Sequence, residues 1–365
     1  MKLYLIKFIY IKYMSKQIKN ISAVALLTLV VFVIAGCSNN QQTKNKSQVK
    51  IGVVTDLTGP AAYWGESTQV GAEIAKKELS KEGIDVNLSY EDYQLDAAKA
   101  LTGAQKLIDV DNVDAVYAEF NPAAISVGSF MKGKNKLYMY DAAVTSPMIG
   151  NANAYKTYLD YQAGCHAVAQ KFKDQGIAKI GMIKPNIEFG ELCLAGVKEV
   201  YADATITEGY NLGDADVKTQ MTKLKSQKVG AVINVGFEGD TLNALKAIKE
   251  LGMKTPFGTV DDTITDNVKQ KYGNELKGAW TFGFATVDPA FSAKIKAETS
   301  KKLATEYGAA ITYTHVKQVA RAMAKCNKDS SCVNKQLDQA VPDKTIGFNK
   351  FVNHVADLSM SIRQY

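Results

Sequence analysis

The stretch Ile51–Gly65, which reads IGVVTDLTGPAAYWG, decides the fold class. An apolar run that ends at Val54 predicts a buried strand, a Gly-Pro turn follows, and a helix is expected from Glu66. A strand, a tight loop and a helix at the start of an alternating chain form the first unit of a parallel sheet. Because ligands bind beyond the carboxyl ends of such strands, we expect this loop to border a binding site.

Two aromatic residues, Tyr63 and Trp64, lie in this loop. Their flat apolar surfaces are placed where they would meet a small ligand. The alternative is that Trp64 only fills the core at the end of the strand. Loop position alone leaves both interpretations open.

Strands and helices alternate through most of the chain. Strands predicted at 86–91, 115–118 and 137–140 complete a first set, and a second set lies within 179–284. Two longer helices and two short strands follow. We therefore predict an α/β protein with two doubly wound, Rossmann-like lobes, joined by a hinge and separated by a ligand cleft.

The predicted organisation divides the chain into an export signal, a tether and two discontinuous lobes. The signal comprises residues 1–37, and the flexible tether, rich in Asn, Gln, Ser and Lys, comprises residues 38–48. Lobe one is predicted from 49–157 plus 285–345, and lobe two from 158–284 plus 346–365.

The N-terminal segment has the pattern of a secretory signal. Lysines precede an apolar run, Ile21–Ala35, whose 15 residues fall short of the roughly 20 needed to span a membrane. The Ala-Gly-Cys that ends at Cys37 resembles the lipobox of bacterial lipoproteins, which implies lipidation of Cys37 and anchoring on the extracytoplasmic side. The alternative is a buried Cys at the end of an uncleaved anchor. Met14 is an alternative to Met1 as the first residue of the protein, because residues 14–37 alone make a complete signal.

The positive charge of the chain does not indicate a nucleic-acid partner. The formal net charge is +7, but residues 1–37 contribute five lysines and no acid, which leaves 39 basic and 37 acidic residues. The remainder is thus nearly neutral, and no basic stripe with interleaved aromatic residues stands out. We expect no nucleic acid among the partners.

Four cysteines follow Cys37, and an even number in an exported domain predicts disulfides. Cys326 and Cys332 bracket a polar turn between helices, where we predict a bridge. Cys165 and Cys193 begin successive helices, which leaves a second bridge open. Since there is no Cys-x-x-Cys and the histidines are scattered, we expect no metal and no cofactor.

Motifs of enzymes are absent from the sequence. It contains no dinucleotide-binding Gly-x-Gly-x-x-Gly, no P-loop, no Gly-x-Ser-x-Gly and no His-Glu-x-x-His. Cys165 and His166 are adjacent, but neighbours on a helix point in different directions. We expect a binding protein and no enzyme.

Several motifs, weak singly, resemble in order and spacing the substrate-binding lipoproteins of ABC importers for branched-chain amino acids. This Leu/Ile/Val-binding family has the type I periplasmic binding protein fold. The resemblance runs from about Val49 to the C-terminus and is carried, besides the opening stretch, by Asp141–Pro147, Glu188–Gly190, Gly236-Phe237, Asp261, and Gly347-Phe348 with Asp357.

The resemblance implies a function and a set of partners. It implies an extracytoplasmic, lipid-anchored monomer that captures a small molecule and delivers it to the permease subunits of an ABC importer. The alternative is a sensing module that acts through a membrane receptor.

The resemblance also implies ligand contacts from both lobes. The positions that match are Tyr63, Trp64, Asn121, Ala142, Ala143 and Thr145 in lobe one, and Phe189, Phe237 and Asp261 in lobe two. In the family, N–H groups and hydroxyls of lobe one bind the ligand's carboxylate, and an acid and a Tyr of lobe two bind its ammonium group.

The sequence departs from this pattern at polar positions. Asn121-Pro122 stands where the family has a Ser, and Phe189 and Phe237 stand where amino-acid binders have Tyr. Unpaired polar groups on an amino acid would cost about 1–3 kcal/mol each. We therefore predict a ligand more apolar or less zwitterionic than leucine, such as an amide, an aromatic acid or a modified amino acid. Alternatively the two Phe residues only pack, and Asp262 is a solvated cap instead of a second acid.

Overall fold

A computed structural model describes residues 48–365 of the chain. The predicted export signal, the lipidation site Cys37 and the tether up to residue 47 lie outside the described residues. Within residues 48–365 the strands form two sheets, and helices pack on both faces of each. This arrangement confirms the predicted α/β class with two doubly wound lobes.

Helices and strands alternate from residue 48 to residue 284. Residues 48–156 form β1 (Val49–Thr55), α1 (Ala62–Lys81), β2 (Val86–Asp92), α2 (Ala97–Gln105), β3 (Ala115–Glu119), α3 (Phe120–Met131), β4 (Leu137–Asp141) and β5 (Ala154–Lys156). Residues 157–284 form α4 (Tyr161–Asp174), β6 (Ile180–Pro185), α5 (Glu188–Tyr201), β7 (Thr205–Tyr210), α6 (Lys218–Ser226), β8 (Ala231–Asn234), α7 (Glu238–Glu250), β9 (Phe257–Val260), α8 (Asp266–Tyr272) and β10 (Trp280–Phe284).

The alternation ends in the last part of the chain. Residues 285–365 form α9 (Pro289–Glu298), α10 (Tyr307–Cys326), α11 (Ser330–Asp338), β11 (Phe348–Val352), β12 (Val355–Leu358) and β13 (Met360–Gln364).

The two sheets have related topologies. The first has the order β11-β12-β5-β4-β3-β1-β2, and the second has the order β13-β10-β9-β8-β6-β7. All neighbouring strands are parallel except at one edge of each sheet, where β11 pairs with β12 and β13 pairs with β10 antiparallel. The carboxyl ends of the parallel strands in each sheet therefore lie at one edge, where ligand sites form.

The alternating pattern of β1 explains how the first sheet is held between helices. Val49, Ile51 and Val53 belong to the core on the side of α1 and α10, whereas Val54 belongs to the core on the side of α2 and α3. Successive side chains of a strand point to opposite faces, so one apolar run serves both cores.

Helices α1 and α10 approach each other closely at Gly71. A Cβ atom at this position would lie 2.0 Å from the carbonyl oxygen of Ala309. Only a glycine admits this approach, which returns the C-terminal helix α10 to the first lobe. Helix α1 begins at Ala62 and not at the predicted Glu66, so Tyr63 lies in its first turn. The packing of α1 against α10 therefore also fixes the position of Tyr63.

Within residues 48–365, three chain segments cross between the lobes. They are residues 157–160, residues 285–288 and Ser359, as the strands on either side show. The Ala285 N–H donates to the Ser359 carbonyl, and the Ser359 N–H donates to the Gly347 carbonyl, each at 3.0 Å. Two of the crossings are therefore bonded side by side and form a hinge.

The predicted assignment of 346–365 to lobe two was wrong for most of that segment. Strands β11 and β12 join the first sheet, where Val355 pairs with Lys156, and only β13 joins the second sheet. The reason is that a hairpin on a sheet edge is placed by its pairing partner, which lies about 200 residues away in the chain and leaves no local pattern.

Both disulfides are present. Cys326 is bonded to Cys332, which confirms the predicted bridge between α10 and α11. Cys165 is bonded to Cys193, so the bridge that the sequence left open joins α4 to α5.

Candidate functional site

A narrow cleft lies between the two lobes, at the carboxyl ends of their strands. The space open to the centre of a water molecule is about 20 Å³, room for about one water. Residues that follow β1, β3 and β4 line one wall, residues that follow β6, β8 and β9 line the other, and Tyr158 of the first crossing is also in the lining. The lining residues are Tyr63, Phe120, Asn121, Ala142, Ala143, Tyr158, Tyr161, Phe189, Gly236, Phe237, Asp262 and Thr263.

Aromatic rings form a closed circuit around this cleft. We call it the aromatic circuit; it runs through Phe120, Phe237, Phe189, Tyr161, Tyr158 and Trp64 and back to Phe120. The centroids of successive rings are 5.1–6.3 Å apart, within the range of attractive edge and offset contacts. Phe120 of lobe one touches Phe237 of lobe two, so the ring contacts hold the lobes together.

Phe120 has an unusual backbone conformation. Its φ is +61°, in the left-handed region that a bulky residue rarely adopts. It lies at the junction where β3 passes into α3, and this conformation accompanies the placement of its ring in the cleft. Strain of this kind concentrates at binding sites, where packing of the surroundings maintains it.

Asp262 is the acid that reaches the cleft. It follows β9 in a short 3₁₀ turn and is only 8% exposed. The Tyr158 hydroxyl donates to Oδ2 at 3.2 Å, whereas Oδ1 has no hydrogen-bond partner within residues 48–365. Burial, reinforced by the charge of Asp261, raises the pKa of Asp262 to about 7.

Asp261 points away from the cleft into a polar network. Its Oδ2 accepts from Arg363 Nη1 at 2.5 Å and from the Tyr307 hydroxyl at 3.2 Å. Its Oδ1 accepts from the Tyr365 hydroxyl at 2.8 Å and from the Thr281 hydroxyl at 3.2 Å. Both carboxylate oxygens are thus occupied, and Arg363 neutralises the charge. A separate depression of about 300 Å³ adjoins this network and shares Asp262 with the cleft.

Backbone donors beside the cleft are satisfied by the protein itself. The Ala143 N–H donates to Asn121 Oδ1 at 3.1 Å. The Phe237 N–H, at the start of α7, donates to Asp240 Oδ2 at 2.8 Å. Asn121 Nδ2 has no partner among the described residues, which makes it a neutral donor at the cleft wall.

Two further acids are buried beneath the lobe-one wall. Glu119, at the end of β3, accepts from the hydroxyls of Thr55 and Thr68. Burial raises the pKa of Glu119 to about 7. Burial, and then the neighbouring charge of Glu119, also raises the pKa of Asp141 at the end of β4. The base of this wall therefore carries acids at the ends of two adjacent strands.

The structure brings most of the residues predicted from sequence to one place. Those that line the cleft are Tyr63, Asn121, Ala142, Ala143, Phe189 and Phe237. Three others are not brought to the lining: Trp64 is fully buried behind Phe120, Thr145 is exposed, and Asp261 pairs with Arg363.

Six lining residues were not among the predicted contacts: Phe120, Tyr158, Tyr161, Gly236, Asp262 and Thr263. The sequence did offer signals for two of them. Phe120 directly precedes Asn121 after a buried strand, and Asp262 adjoins Asp261 after another. Tyr158 lies in the first crossing and Tyr161 is the first residue of α4, directly after it, so the positions of both depend on the placement of the two lobes.

Residues 48–365 lack two features of other functional classes. Within this range, no three His, Cys, Asp or Glu side chains are grouped so that they could hold a metal ion. None of the helices in the same range combines the length and the apolar character needed to cross a membrane.

The chain belongs to the periplasmic binding protein family, whose model matches residues 48–364. A relative is the Leu/Ile/Val-binding protein homolog 1 of Brucella abortus (strain 2308), 26% identical over 318 residues, with 82% of this chain and 85% of the relative covered. The Leu/Ile/Val-binding protein of Escherichia coli (strain K12) is 26% identical over 226 residues, which cover 57% of this chain and 60% of the relative.

Solved structures share the fold. A solute-binding protein of an ABC transporter from R. palustris, in complex with 4-hydroxybenzoate, superposes with a TM-score of 0.79 at 17% identity, and 87% of this chain and 92% of that one are covered. The branched-chain amino acid substrate-binding protein LivJ from Streptococcus pneumoniae, in complex with isoleucine, gives 0.76 at 18% identity, with 87% and 96% covered. The family and the fold thus define a periplasmic binding protein, located outside the cytoplasm.

Proposed function

We propose that this protein captures one small molecule in the cleft between its lobes and delivers it to the permease of an ABC importer. The observation that carries the proposal is that both lobes line the cleft while hydrogen-bonded crossings form a hinge behind it. Opening at a hinge admits a solute, and closure buries it between the walls. Membership of the periplasmic binding protein family supports this function.

We propose that the protein acts as a lipid-anchored monomer. The lipobox at Cys37 supports anchoring through that residue, followed by a tether that gives the lobes reach to a permease in the same membrane. Anchoring of this kind would hold the protein on the extracytoplasmic side without a spanning helix.

We propose a ligand that is less zwitterionic than leucine. Phe189 and Phe237 present carbon where amino-acid binders of the family present hydroxyls, and both rings line the cleft. Asn121 Oδ1 accepts from the Ala143 N–H, so neither that acceptor nor that N–H is open to the ligand. An α-amino acid would leave part of its polar surface unpaired here.

Native mass spectrometry of freshly purified full-length protein tests the capture function. We expect one small molecule bound per chain, released when the protein is denatured in acid. Where the purified chain is empty, incubation with a mixture of amino acids, amides, aromatic acids and alkylamines is expected to add one mass. A chain that carries nothing and takes up none of these would contradict capture.

A further inference from the structure

The cleft offers few groups to a ligand carboxylate. The Ala143 N–H is taken by Asn121, and the Phe237 N–H is taken by Asp240. Pro122 has no N–H to offer. The free amide of Asn121 remains, but it is neutral and suits a hydroxyl or carbonyl oxygen as well as an anion.

The charge around the cleft is negative. Among the described residues that line it there is an aspartate, Asp262, and no Lys, Arg or His. The ammonium of Lys156 lies behind the lobe-one wall, where it donates to the Ala143 carbonyl at 2.6 Å. Glu119 and Asp141 lie beneath the same wall, but burial raises the pKa of both and favours their neutral forms. The charge that a ligand meets is therefore that of Asp262, which in its ionised form repels an anion and attracts a cation.

The aromatic circuit adds a second attraction for a cation. Five of its rings, all except Trp64, line the cleft. The face of an aromatic ring carries negative charge density, and a cage of such faces is the recurring means of holding ammonium groups. The unpartnered Oδ1 of Asp262 lies among these rings as a potential counter-ion.

We propose that the cleft binds an organic cation without a carboxylate, such as a primary alkylammonium or a quaternary alkylammonium ion, with Asp262 as its counter-charge and the aromatic circuit as its cage. This inference rests on the proposed capture function and names the class of solute. It narrows the range of ligands expected from the sequence. Aromatic acids are excluded, and neutral amides are expected to bind less tightly than the cation.

Proton release should accompany binding. Near neutral pH Asp262 is partly protonated, because its pKa is raised to about 7, and a bound cation favours its ionised form. Affinity for the cation should therefore increase as the pH rises through 7. The titratable and charged groups around this carboxyl are, in the cleft, Tyr63, Tyr158 and Tyr161, with Glu238 beside Tyr63, and, in the adjoining depression, Asp261, Lys269, Glu306, Tyr307, Arg363 and Tyr365.

Titration calorimetry on the full-length protein in detergent, at pH 8, tests the proposal with five probes. They are n-butylammonium, tetramethylammonium, butanamide, leucine and 4-hydroxybenzoate. We expect at least one ammonium probe to bind at least about 10-fold more tightly than the other three, since a charge-assisted contact is about that much stronger than a neutral one. At pH 6 the same probe should bind more weakly, with a heat that depends on the buffer because protons are released.

Two substitutions locate the counter-charge. Asp262→Asn should weaken ammonium binding about 10- to 100-fold and abolish the proton release. Asp203→Asn makes the same chemical change at an exposed position of the same lobe. It should leave both the ammonium affinity and the proton release unchanged. Phe237→Leu, which keeps an apolar wall and removes a ring face, should weaken ammonium binding about 3- to 10-fold.

The outcomes separate this inference from the capture function. Binding of leucine, 4-hydroxybenzoate or butanamide ahead of both ammonium probes would overturn the cation class and leave capture intact. Absence of heat with both ammonium probes would also overturn it, whatever native mass spectrometry finds. Ammonium binding that survives in Asp262→Asn, with that variant's melting temperature unchanged, would remove Asp262 as the counter-charge.

Discussion

The adjacent residues Asp261 and Asp262 differ in what surrounds their carboxylates. Asp261 is paired with Arg363 and two tyrosine hydroxyls, whereas Asp262 has one hydroxyl partner and an unpartnered oxygen within the described chain. A paired charge stabilises its surroundings, whereas a buried charge without a partner costs free energy. Neutralising each of the two should therefore change the free energy of unfolding in opposite directions.

Asp261→Asn should lower the free energy of unfolding by about 1–3 kcal/mol at pH 8, because Arg363 loses its carboxylate. Asp262→Asn should raise it at pH 8, where the wild-type carboxyl is ionised in the folded chain, and should give a smaller gain at pH 5, where that carboxyl is protonated. Urea unfolding of the two variants and of Asp203→Asn measures this. Equal effects of the two substitutions on the free energy of unfolding at pH 8 would contradict this division of roles, in which Asp261 stabilises the fold and Asp262 belongs to the binding site.

The sequence predicted Asp261 as the acid of the site, whereas in the structure its neighbour Asp262 lines the cleft and Asp261 pairs with Arg363. Residues 261–263 form a single 3₁₀ turn, in which successive side chains are rotated by about 120°. Which carboxylate faces the cleft depends on where the turn begins, and no local pattern encodes that. Trp64 illustrates the same limit, since loop position allowed it to face ligand or core and the packing of Phe120 placed it behind the wall.

At the scale of helices and strands, the pattern of apolar residues was sufficient to predict the elements of most of the chain. The strands β1, β3 and β4 were predicted within about one residue of their ends, because buried parallel strands are continuous apolar runs. Strand β5 has three residues and was missed, since so short a run has no periodicity. The helix α8 was missed for a similar reason, because it spans seven residues.

The two disulfides should differ in their contributions to stability. The Cys165–Cys193 bridge spans 28 residues and joins α4 to α5, whereas the Cys326–Cys332 bridge spans six. In the chain-entropy description, the longer loop gives about 3–4 kcal/mol and the shorter about 2 kcal/mol. Urea unfolding of the paired Cys→Ser variants should reproduce this order, with ligand binding retained in both. A larger loss from the shorter bridge would show that strain or residual structure outweighs loop length.

For the molecule as a whole, buried acids set the dependence of stability on pH. Burial raises the pKa of Glu119 and Asp262 to about 7 and that of Asp240 to about 6. Between about pH 4 and 7 the folded chain therefore binds more protons than the unfolded chain, and stability falls as the pH rises. Two groups act in the opposite sense. Hydrogen bonds from Lys294 and Lys317 outweigh the burial of Glu78 and lower its pKa to about 2, so its contribution is lost in acid. Burial lowers the pKa of His315 to about 3, so stability is lost there as the pH falls below its ordinary value, but the three raised carboxyls outnumber it between pH 5 and 7.

The free energy of unfolding of the ligand-free protein should accordingly be highest near pH 5 and decrease to pH 7.5. Urea midpoints measured at half-unit intervals from pH 4 to 8 would show this. In Asp262→Asn the decrease should be smaller, because one of the groups responsible is gone. A curve that rises between pH 5 and 7 would indicate that these carboxyls are ionised and well solvated in the folded chain.

The edge strand β13 has a consequence for the order in which the chain can complete its fold. It pairs with β10, yet it follows α9–α11 and the hairpin β11–β12, all of which belong to the other lobe. A polypeptide that emerges amino end first must therefore hold β10 with an open edge until nearly all of its length is available. Neither lobe can complete its sheet before the last strands are synthesised, so the two lobes complete folding together. A truncated chain would expose an unpaired sheet edge, which promotes aggregation.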